Sequence, residues 1–274
     1  MIKASIIKTF KYFGIEIYKK GISEELSFYH QSFYKLWTQF TYEEKKALAH
    51  FLPDLHSQYG QDLFVLFCNY KIPLSPLFVE FGAADGILWN NSYIFEKILN
   101  WDGLLCEPSN CFRENLVKNR VCKVDSRCVS KTTGNFLEFI EVREANEKFK
   151  ISSPQLSCLE ESAPKDWATK IRKGNSKKYK VETVSLNDVL LENKIPKEIG
   201  YMSIDTEGSE VDILKGFDIN KYKIDVITIE HNHRSEDMKF MDQYFLKNKY
   251  KKVFPDISES DYWYLRDEIY KKIF

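Results

Sequence analysis

The chain of 274 residues contains 43% hydrophobic residues, and its 40 basic residues balance 40 acidic ones. This length favours one domain with an appendage over two full domains. A formal net charge of zero disfavours nucleic-acid binding, because proteins that bind nucleic acids are usually basic. The sequence has no apolar run long enough to cross a bilayer and no signal-peptide pattern, so we expect a cytoplasmic protein. None of the six cysteines forms a Cys-x-x-Cys pair, which disfavours a zinc site.

Residues 1–56 are predicted to form a helical extension without catalytic motifs. Large apolar residues recur there near helical spacing, with lysines between them: Ile2, Ile6, Phe10, Phe13 and Ile17. A basic amphipathic helix of this kind lies on an anionic membrane surface or, more commonly, packs on protein, here the domain itself or a second copy in a homo-oligomer. Thr41 and Glu44 predict a capping box at the start of a second helix, Tyr42–Leu52, which Pro53 ends.

Residues 57–274 alternate between predicted strands and helices, which is typical of an α/β domain with a mostly parallel sheet and helices on both faces. The predicted parallel strands are Leu77–Phe81, Gly103–Cys106, Val121–Val124, Tyr201–Ile204 and Val226–Ile229. Lys251–Phe254 and Tyr262–Arg266 predict an antiparallel pair added to that sheet. Residues 141–180 interrupt the alternation with a polar, lysine-rich segment, and we expect this insert to be a substrate lid.

The first two predicted strands end in residues that suit a nucleotide-type cofactor. The first runs into Glu80-Phe81-Gly82-Ala83-Ala84-Asp85-Gly86. Glycine tolerates positive φ and has no Cβ, so a ligand can lie against the backbone of this loop. The second strand ends at Glu107, the position of an acid that binds ribose hydroxyls.

The charges at the strand ends favour a cationic cofactor. Acids and amides follow the third, fourth and fifth strands: Asp125 and Ser126; Asp205, Thr206 and Glu207; Glu230, His231 and Asn232. A pyrophosphate prefers cations and helix N-termini, and the glycine order departs from Gly-x-Gly-x-x-Gly. S-adenosylmethionine instead carries a sulfonium, an ammonium and ribose hydroxyls that Glu107 can accept from.

The order of these motifs resembles the FkbM-type S-adenosylmethionine-dependent methyltransferases over roughly residues 57–232. Further matching segments are Ser57–Asp62, Asn91-Ser92, Cys106–Ser109, Leu156–Leu159, Val184–Leu190, Ile204–Glu210 and Glu230–Asn232. The resemblance implies a Rossmann-like class I methyltransferase sheet and O-methylation of a sugar, nucleotide-sugar or surface glycan, in glycan biosynthesis. Two alternatives stay open: a methyltransferase of a small metabolite or natural product, and a non-catalytic cofactor-binding module.

The resemblance also implies roles for individual residues. The cofactor would be bound by Glu80, Gly82, Asp85, Gly86, Asn91, Ser92, Glu107, Pro108, Ser109, Asp125, Ser126 and Asp205. Glu207 and Asn232 would bind the substrate. His231 is best suited to take the hydroxyl proton near neutral pH, with Asp205 and Glu230 as catalytic neighbours.

A metal-assisted mechanism is a second interpretation of the same strand ends. Asp205, Glu230 and Asn232 offer the hard oxygen ligands that suit Mg²⁺. Aromatic side chains near the loops offer sugar-stacking platforms, although core packing is the commoner role: Trp89, Tyr93, Trp101, Trp167 and Tyr179.

Overall fold

The computed structural model describes residues 24–143, 153–166 and 168–274. The apolar stripe from Ile2 to Ile17 and the side chain of Trp167 lie outside the described residues. Within the described ranges, no helix is both long and apolar enough to cross a bilayer.

The described chain folds into alternating helices and strands. Its helices are α1 (Glu24–Gln39), α2 (Tyr42–Leu48), α3 (Gln61–Lys71), α4 (Tyr93–Lys97), α5 (Asn110–Asn119), α6 (Thr169–Gly174), α7 (Leu186–Glu192), α8 (Glu210–Lys215), α9 (Ser235–Lys247) and α10 (Asp267–Ile273). Its strands are β1 (Leu77–Phe81), β2 (Asp102–Cys106), β3 (Lys123–Asp125), β4 (Cys128–Ser130), β5 (Phe136–Val142), β6 (Cys158–Leu159), β7 (Ser176–Ser185), β8 (Glu198–Ile204), β9 (Lys223–Glu230), β10 (Tyr250–Val253) and β11 (Asp261–Arg266).

The main sheet has seven strands in the order β10-β11-β9-β8-β1-β2-β3. The pairs β1–β2, β1–β8, β2–β3 and β8–β9 are parallel, whereas β11 is antiparallel to both β9 and β10. The predicted α/β fold and the predicted C-terminal antiparallel pair are therefore confirmed. The predicted start of the third strand at Val121 is wrong, because β3 begins at Lys123 and Val121 is 85% exposed.

The two faces of the sheet pack on two hydrophobic cores, as the alternation along β1 shows. Val79 and Phe81 belong to the core that contains residues of α7, α8 and α9, whereas Phe78 belongs to the core with residues of α3, α4 and α10. Because all five residues of β1 are buried, this strand is covered on both sides.

The helices before residue 57 are built into the second of these cores. Leu36 of α1 and Leu48 of α2 pack in the same cluster as Phe64 of α3. The capping box at Thr41 and Glu44 is confirmed, since each side chain accepts from the other residue's backbone N–H. The predicted end of this helix is wrong, because a 3-10 helix, Ala49–Asp54, follows α2 and contains Pro53.

The segment predicted as a lid begins as a regular hairpin. Strands β5 and β7 pair antiparallel from Phe136 opposite Glu182 to Val142 opposite Ser176. They belong to a second sheet in the order β4-β7-β5-β6. The predicted bounds 141 and 180 therefore fall inside these two strands, and the rest of the insert connects the end of β5 to the start of β7.

The turn after β1 approaches the end of β8 too closely for any side chain. Gly82 has φ +80°, and a Cβ at this position would lie 1.7 Å from the carbonyl oxygen of Asp205. The backbone N–H of Asp205 in turn donates to the carbonyl of Phe81 at 3.2 Å. Gly82 is thus needed for strand packing, independently of any ligand.

Replacing Gly82 tests this packing, with Gly134 as a matched control. Gly134 has φ +83°, and no described atom lies within 4 Å of a Cβ built there. We expect Gly134→Ala to cost only the left-handed backbone strain, about 1–2 kcal/mol. Gly82→Ala should add an overpacking cost of about 1–3 kcal/mol. Urea denaturation measures both free energies of unfolding, and equal losses would refute the packing role.

Candidate functional site

A cavity of about 380 Å³ lies beyond the carboxyl ends of β1, β2, β8 and β9. Each of these strands supplies lining residues at its end: Gly82, Glu107, Asp205 and Glu230. Further lining residues come from the segment before α3, such as Gln58, and from the insert, such as Pro154 and Leu159. This is the position at which open α/β sheets bind ligands, so the cavity is the candidate functional site.

The loop after β1 is held from behind by a buried acid, Glu80. Its carboxylate accepts hydrogen bonds from the backbone N–H of Asn91 at 2.8 Å and from the hydroxyl of Ser92. Glu80, Asn91 and Ser92 are all buried and do not line the cavity. The structure thus corrects their expected position: they support the loop from within the core.

Arg120 fixes the far side of the same loop. Its guanidinium donates to Glu96 at 2.9 Å, to the side chain of Asn90 at 2.7 Å and to the carbonyl of Gly86 at 3.2 Å. A Cβ on Gly86 would lie 2.6 Å from Cγ of Arg120, so this glycine serves helix packing. The carboxylate of Asp85 accepts from the N–H groups of residues 87 and 88, both at 2.9 Å. Neither Asp85 nor Gly86 lines the cavity.

Glu107 lines the cavity in a fixed orientation. Its two carboxylate oxygens accept from the backbone N–H of Ala84 at 2.9 Å and of Ser109 at 2.8 Å. Burial raises the pKa of Glu107 to about 7, although both N–H donors act in the opposite direction. Each oxygen keeps a further lone pair, so this carboxylate can accept from two neighbouring hydroxyls.

The other residues expected around the ribose and adenine have different positions. Pro108 lines the cavity next to Glu107, whereas Ser109 is fully buried. Asp125 is occupied by Arg127, which donates to both of its oxygens. Neither Asp125 nor Ser126 lines the cavity, and the wall there is formed by two residues of β4, Cys128 and Val129.

Three carboxyl groups converge at the opposite end of the cavity. Oxygens of Asp205, Glu207 and Glu230 lie within 4.8 Å of one another. Burial, followed by repulsion from neighbouring carboxylates, raises the pKa of both Asp205 and Glu230 well above their ordinary values. Glu230 is 8% exposed, and its Oε2 has no hydrogen-bond partner in the described structure. Such a group accepts a donor or a cation from a ligand.

The loop that carries Asp205 and Glu207 is fixed by Glu210, which is fully buried. One oxygen of Glu210 accepts from the N–H groups of Thr206 at 2.8 Å and Gly208 at 3.0 Å, and from the Thr206 hydroxyl at 2.9 Å. Its second oxygen accepts from Arg234 at 2.7 Å, which links this loop to the segment after β9. The spacing from Asp205 to Glu210 is therefore a structural requirement of the site.

Arg172 connects the insert to the same acids. Its guanidinium donates to Glu207 at 2.7 Å, to Asp166 at 2.8 Å and to the carbonyl of Leu156 at 2.9 Å. The Arg172 side chain is only 3% exposed. Glu207 lines the cavity as expected for a substrate-binding residue, but one of its oxygens is already paired.

His231 does not join Asp205 and Glu230 in the cavity wall. The residue is 2% exposed, its ring packs against Tyr262, and Nδ1 accepts a hydrogen bond from the backbone N–H of His233 at 3.0 Å. The pKa of His231 is lowered to about 4, mainly by burial and to a smaller extent by the proximity of His233. Asn232 and His233, both at positive φ, turn toward the cavity and line it. The expectation of a histidine base beside the two acids is corrected on this geometry.

Several lining residues were not assigned from the sequence. Gln58 and Tyr59 belong to the Ser57–Asp62 motif, whose buried Asp62 accepts from the N–H groups of His56 and Ser57. Trp89, one of the aromatic candidates, lines the cavity, whereas Trp101 packs in the core. Ser260 was missed because it precedes β11, and only an antiparallel strand brings its N-terminal end to this edge.

The sequence matches the family model described as the methyltransferase FkbM domain over residues 80–252. No curated protein matches the chain closely enough to be counted as a relative. The matched region begins in β1, ends in β10 and includes the carboxyl ends of β1, β2, β8 and β9 that line the cavity. It covers more than half of the chain, which therefore belongs to the FkbM methyltransferase domain family.

Proposed function

We propose that the protein is an S-adenosylmethionine-dependent O-methyltransferase that acts on a hydroxyl of a sugar or glycan. The observation that carries the proposal is that one cavity has two sets of acids in its wall, Glu107 at the end of β2 and the cluster around Asp205 at the ends of β8 and β9. A cofactor with ribose hydroxyls at one end and a sulfonium at the other complements that arrangement.

The cofactor would lie along the strand ends with its ribose at Glu107. Gly82 presents bare backbone beside the ligand, and Asp205 would lie near the sulfonium, whose positive charge it stabilises. Methyl transfer is an in-line displacement, so holding the acceptor oxygen against the methyl carbon is a large part of the catalysis. The insert, fixed by Arg172, would exclude water from the reacting groups.

The acceptor hydroxyl must also lose a proton. Glu230 lines the cavity with an unpartnered oxygen, and Asp205 lies beside it. On this geometry we assign Glu230 as the general base that accepts the proton, with Asp205 as its neighbour in the carboxyl pair. His231 is not assigned this role, since its ring is buried outside the cavity wall and Nδ1 is occupied.

A divalent metal ion is the alternative use of the same acids. Three convergent carboxylates suit Mg²⁺, and they are Asp205, Glu230 and, in addition to the expected set, Glu207; Asn232 lies on the same wall. A bound ion would polarise the acceptor hydroxyl and favour its deprotonation. A methyltransferase of a small metabolite or natural product would use the same residues, whereas a non-catalytic module would bind the cofactor without turnover.

Glu107→Gln tests the ribose position. Removing the charge and one acceptor should weaken S-adenosylmethionine binding by about 1.5–3 kcal/mol, roughly 10- to 150-fold in Kd. Calorimetric titration measures this, with Glu114→Gln as the control because Glu114 is exposed on α5. An unchanged Kd in a folded Glu107→Gln protein would reject the assignment.

Glu230→Gln tests the proton acceptor. We expect methyl transfer to fall by about 100-fold or more while cofactor affinity is kept, because general-base catalysis contributes that much. His231→Gln provides the comparison and should retain most of its kcat in the folded fraction. The opposite pattern, an active Glu230→Gln and an inactive, folded His231→Gln, would restore the histidine as the base.

Chelation tests the metal alternative. We expect methyl transfer to persist after dialysis against EDTA, because the proposed proton transfer needs only the carboxyl pair. Activity assays before and after addition of Mg²⁺ provide the measurement. Loss of activity that Mg²⁺ restores would instead make the three carboxylates metal ligands.

A further inference from the structure

We infer that the acceptor carries no phosphate and docks through hydrogen-bond donors, hydroxyl or ammonium groups, at the acidic end of the cavity. The inference rests on the proposed function, because it concerns the second substrate of the same site. The family resemblance leaves sugars, glycans and nucleotide-sugars open as acceptors. The inference excludes nucleotide-sugars, because they carry a diphosphate, and keeps sugars and glycans without phosphate.

The described wall of the cavity is acidic. Among the described lining residues, the acids are Glu107, Asp166, Asp205, Glu207 and Glu230, and there is no lysine or arginine. Burial and the neighbouring carboxyl groups already raise the pKa of Asp205 and Glu230, so the site disfavours negative charge, and a phosphate would add to that cost. Phosphate sites normally pair the anion with Arg or Lys.

The arginines nearest the acidic end are already paired. Arg172 contacts Glu207 and Asp166, both at under 3 Å. Arg234 contacts Glu210 at 2.7 Å and Asp237 at 2.8 Å. A phosphate could recruit either guanidinium only by separating it from two carboxylates.

The helix N-terminus at the other end is also occupied. Helix α5 begins after Ser109, whose N–H donates to Glu107. The next two N–H groups donate to the hydroxyl of Tyr179 at 2.9 Å and to the carboxylate of Glu141 at 3.1 Å. The backbone donors that would bind a phosphate there are therefore used by the protein's own side chains.

The unpartnered oxygen of Glu230 indicates what the site does accept. It is buried in the cavity wall without a donor from the described protein, so a ligand hydroxyl or ammonium would satisfy it. If the sugar is first activated as a nucleoside-diphosphate sugar, methylation must follow the glycosyl transfer that releases the nucleoside diphosphate.

The first experiment compares matched acceptors in an assay for S-adenosylhomocysteine release. The probes are monosaccharides, each supplied as the methyl glycoside, the amino sugar, the 1-phosphate and the nucleotide-sugar. Turnover of methyl glycosides or amino sugars, and at least tenfold less of the phosphorylated forms, is the expected result; the first two arms distinguish hydroxyl from ammonium docking. Comparable turnover of a sugar phosphate or nucleotide-sugar overturns the inference while leaving the methyltransferase proposal intact.

A titration with inorganic pyrophosphate tests the inference without a known acceptor or any turnover. We expect the wild-type protein, with and without S-adenosylhomocysteine, not to bind it. Glu207→Gln combined with Asp166→Asn removes the negative charge from both partners of Arg172 and should strengthen pyrophosphate binding by about tenfold or more. Glu160→Gln with Glu161→Gln, two exposed acids of the insert, is the control of equal charge change and should gain nothing. Wild-type binding of pyrophosphate in this cavity, or an equal gain in the control, contradicts the inference.

Discussion

The structure depends on buried carboxyl groups that meet at the carboxyl edge of a mostly parallel sheet and that have few cationic partners among the described residues. Of the three acids that converge in the cavity, Glu207 is the only one with a guanidinium partner among the described residues, Arg172. Burial without such a partner makes the charged form costly, which is why the pKa values of Asp205 and Glu230 are raised. A cationic cofactor relieves this cost, and an anionic one would increase it.

The acids of this edge fall into two groups according to their donors. Glu80, Glu210 and Asp62 each accept several hydrogen bonds. They hold, in that order, the loop after β1, the loop after β8 and the segment that precedes α3. Glu107 and Glu230 lie in the cavity wall and retain unused lone pairs. The first group orients the second, so rigid loops present partly satisfied acceptors to a ligand.

Hydrophobic pattern and chain order predicted much of the fold, but the sequence did not show which acids face the cavity. The bounds of β1 and the C-terminal antiparallel pair followed from apolar runs, and Glu107, Asp205 and Glu230 followed from the strand-end rule. Glu80 did not, because side chains alternate along β1 and its carboxylate points into the face of the sheet that carries Phe78. The prediction for His231 was wrong for another reason. Positive φ at residues 232 and 233 directs those two residues toward the cavity, and His231 does not line it.

In the proposed complex, one cavity holds the cofactor between Glu107 and the Asp205–Glu230 pair. A crystal structure of the protein with S-adenosylhomocysteine tests it most directly. We expect the ribose hydroxyls to lie within hydrogen-bonding distance of the Glu107 carboxylate and the sulfur to face Asp205. A ligand bound outside this cavity, or with its ribose at the acidic cluster, would contradict it.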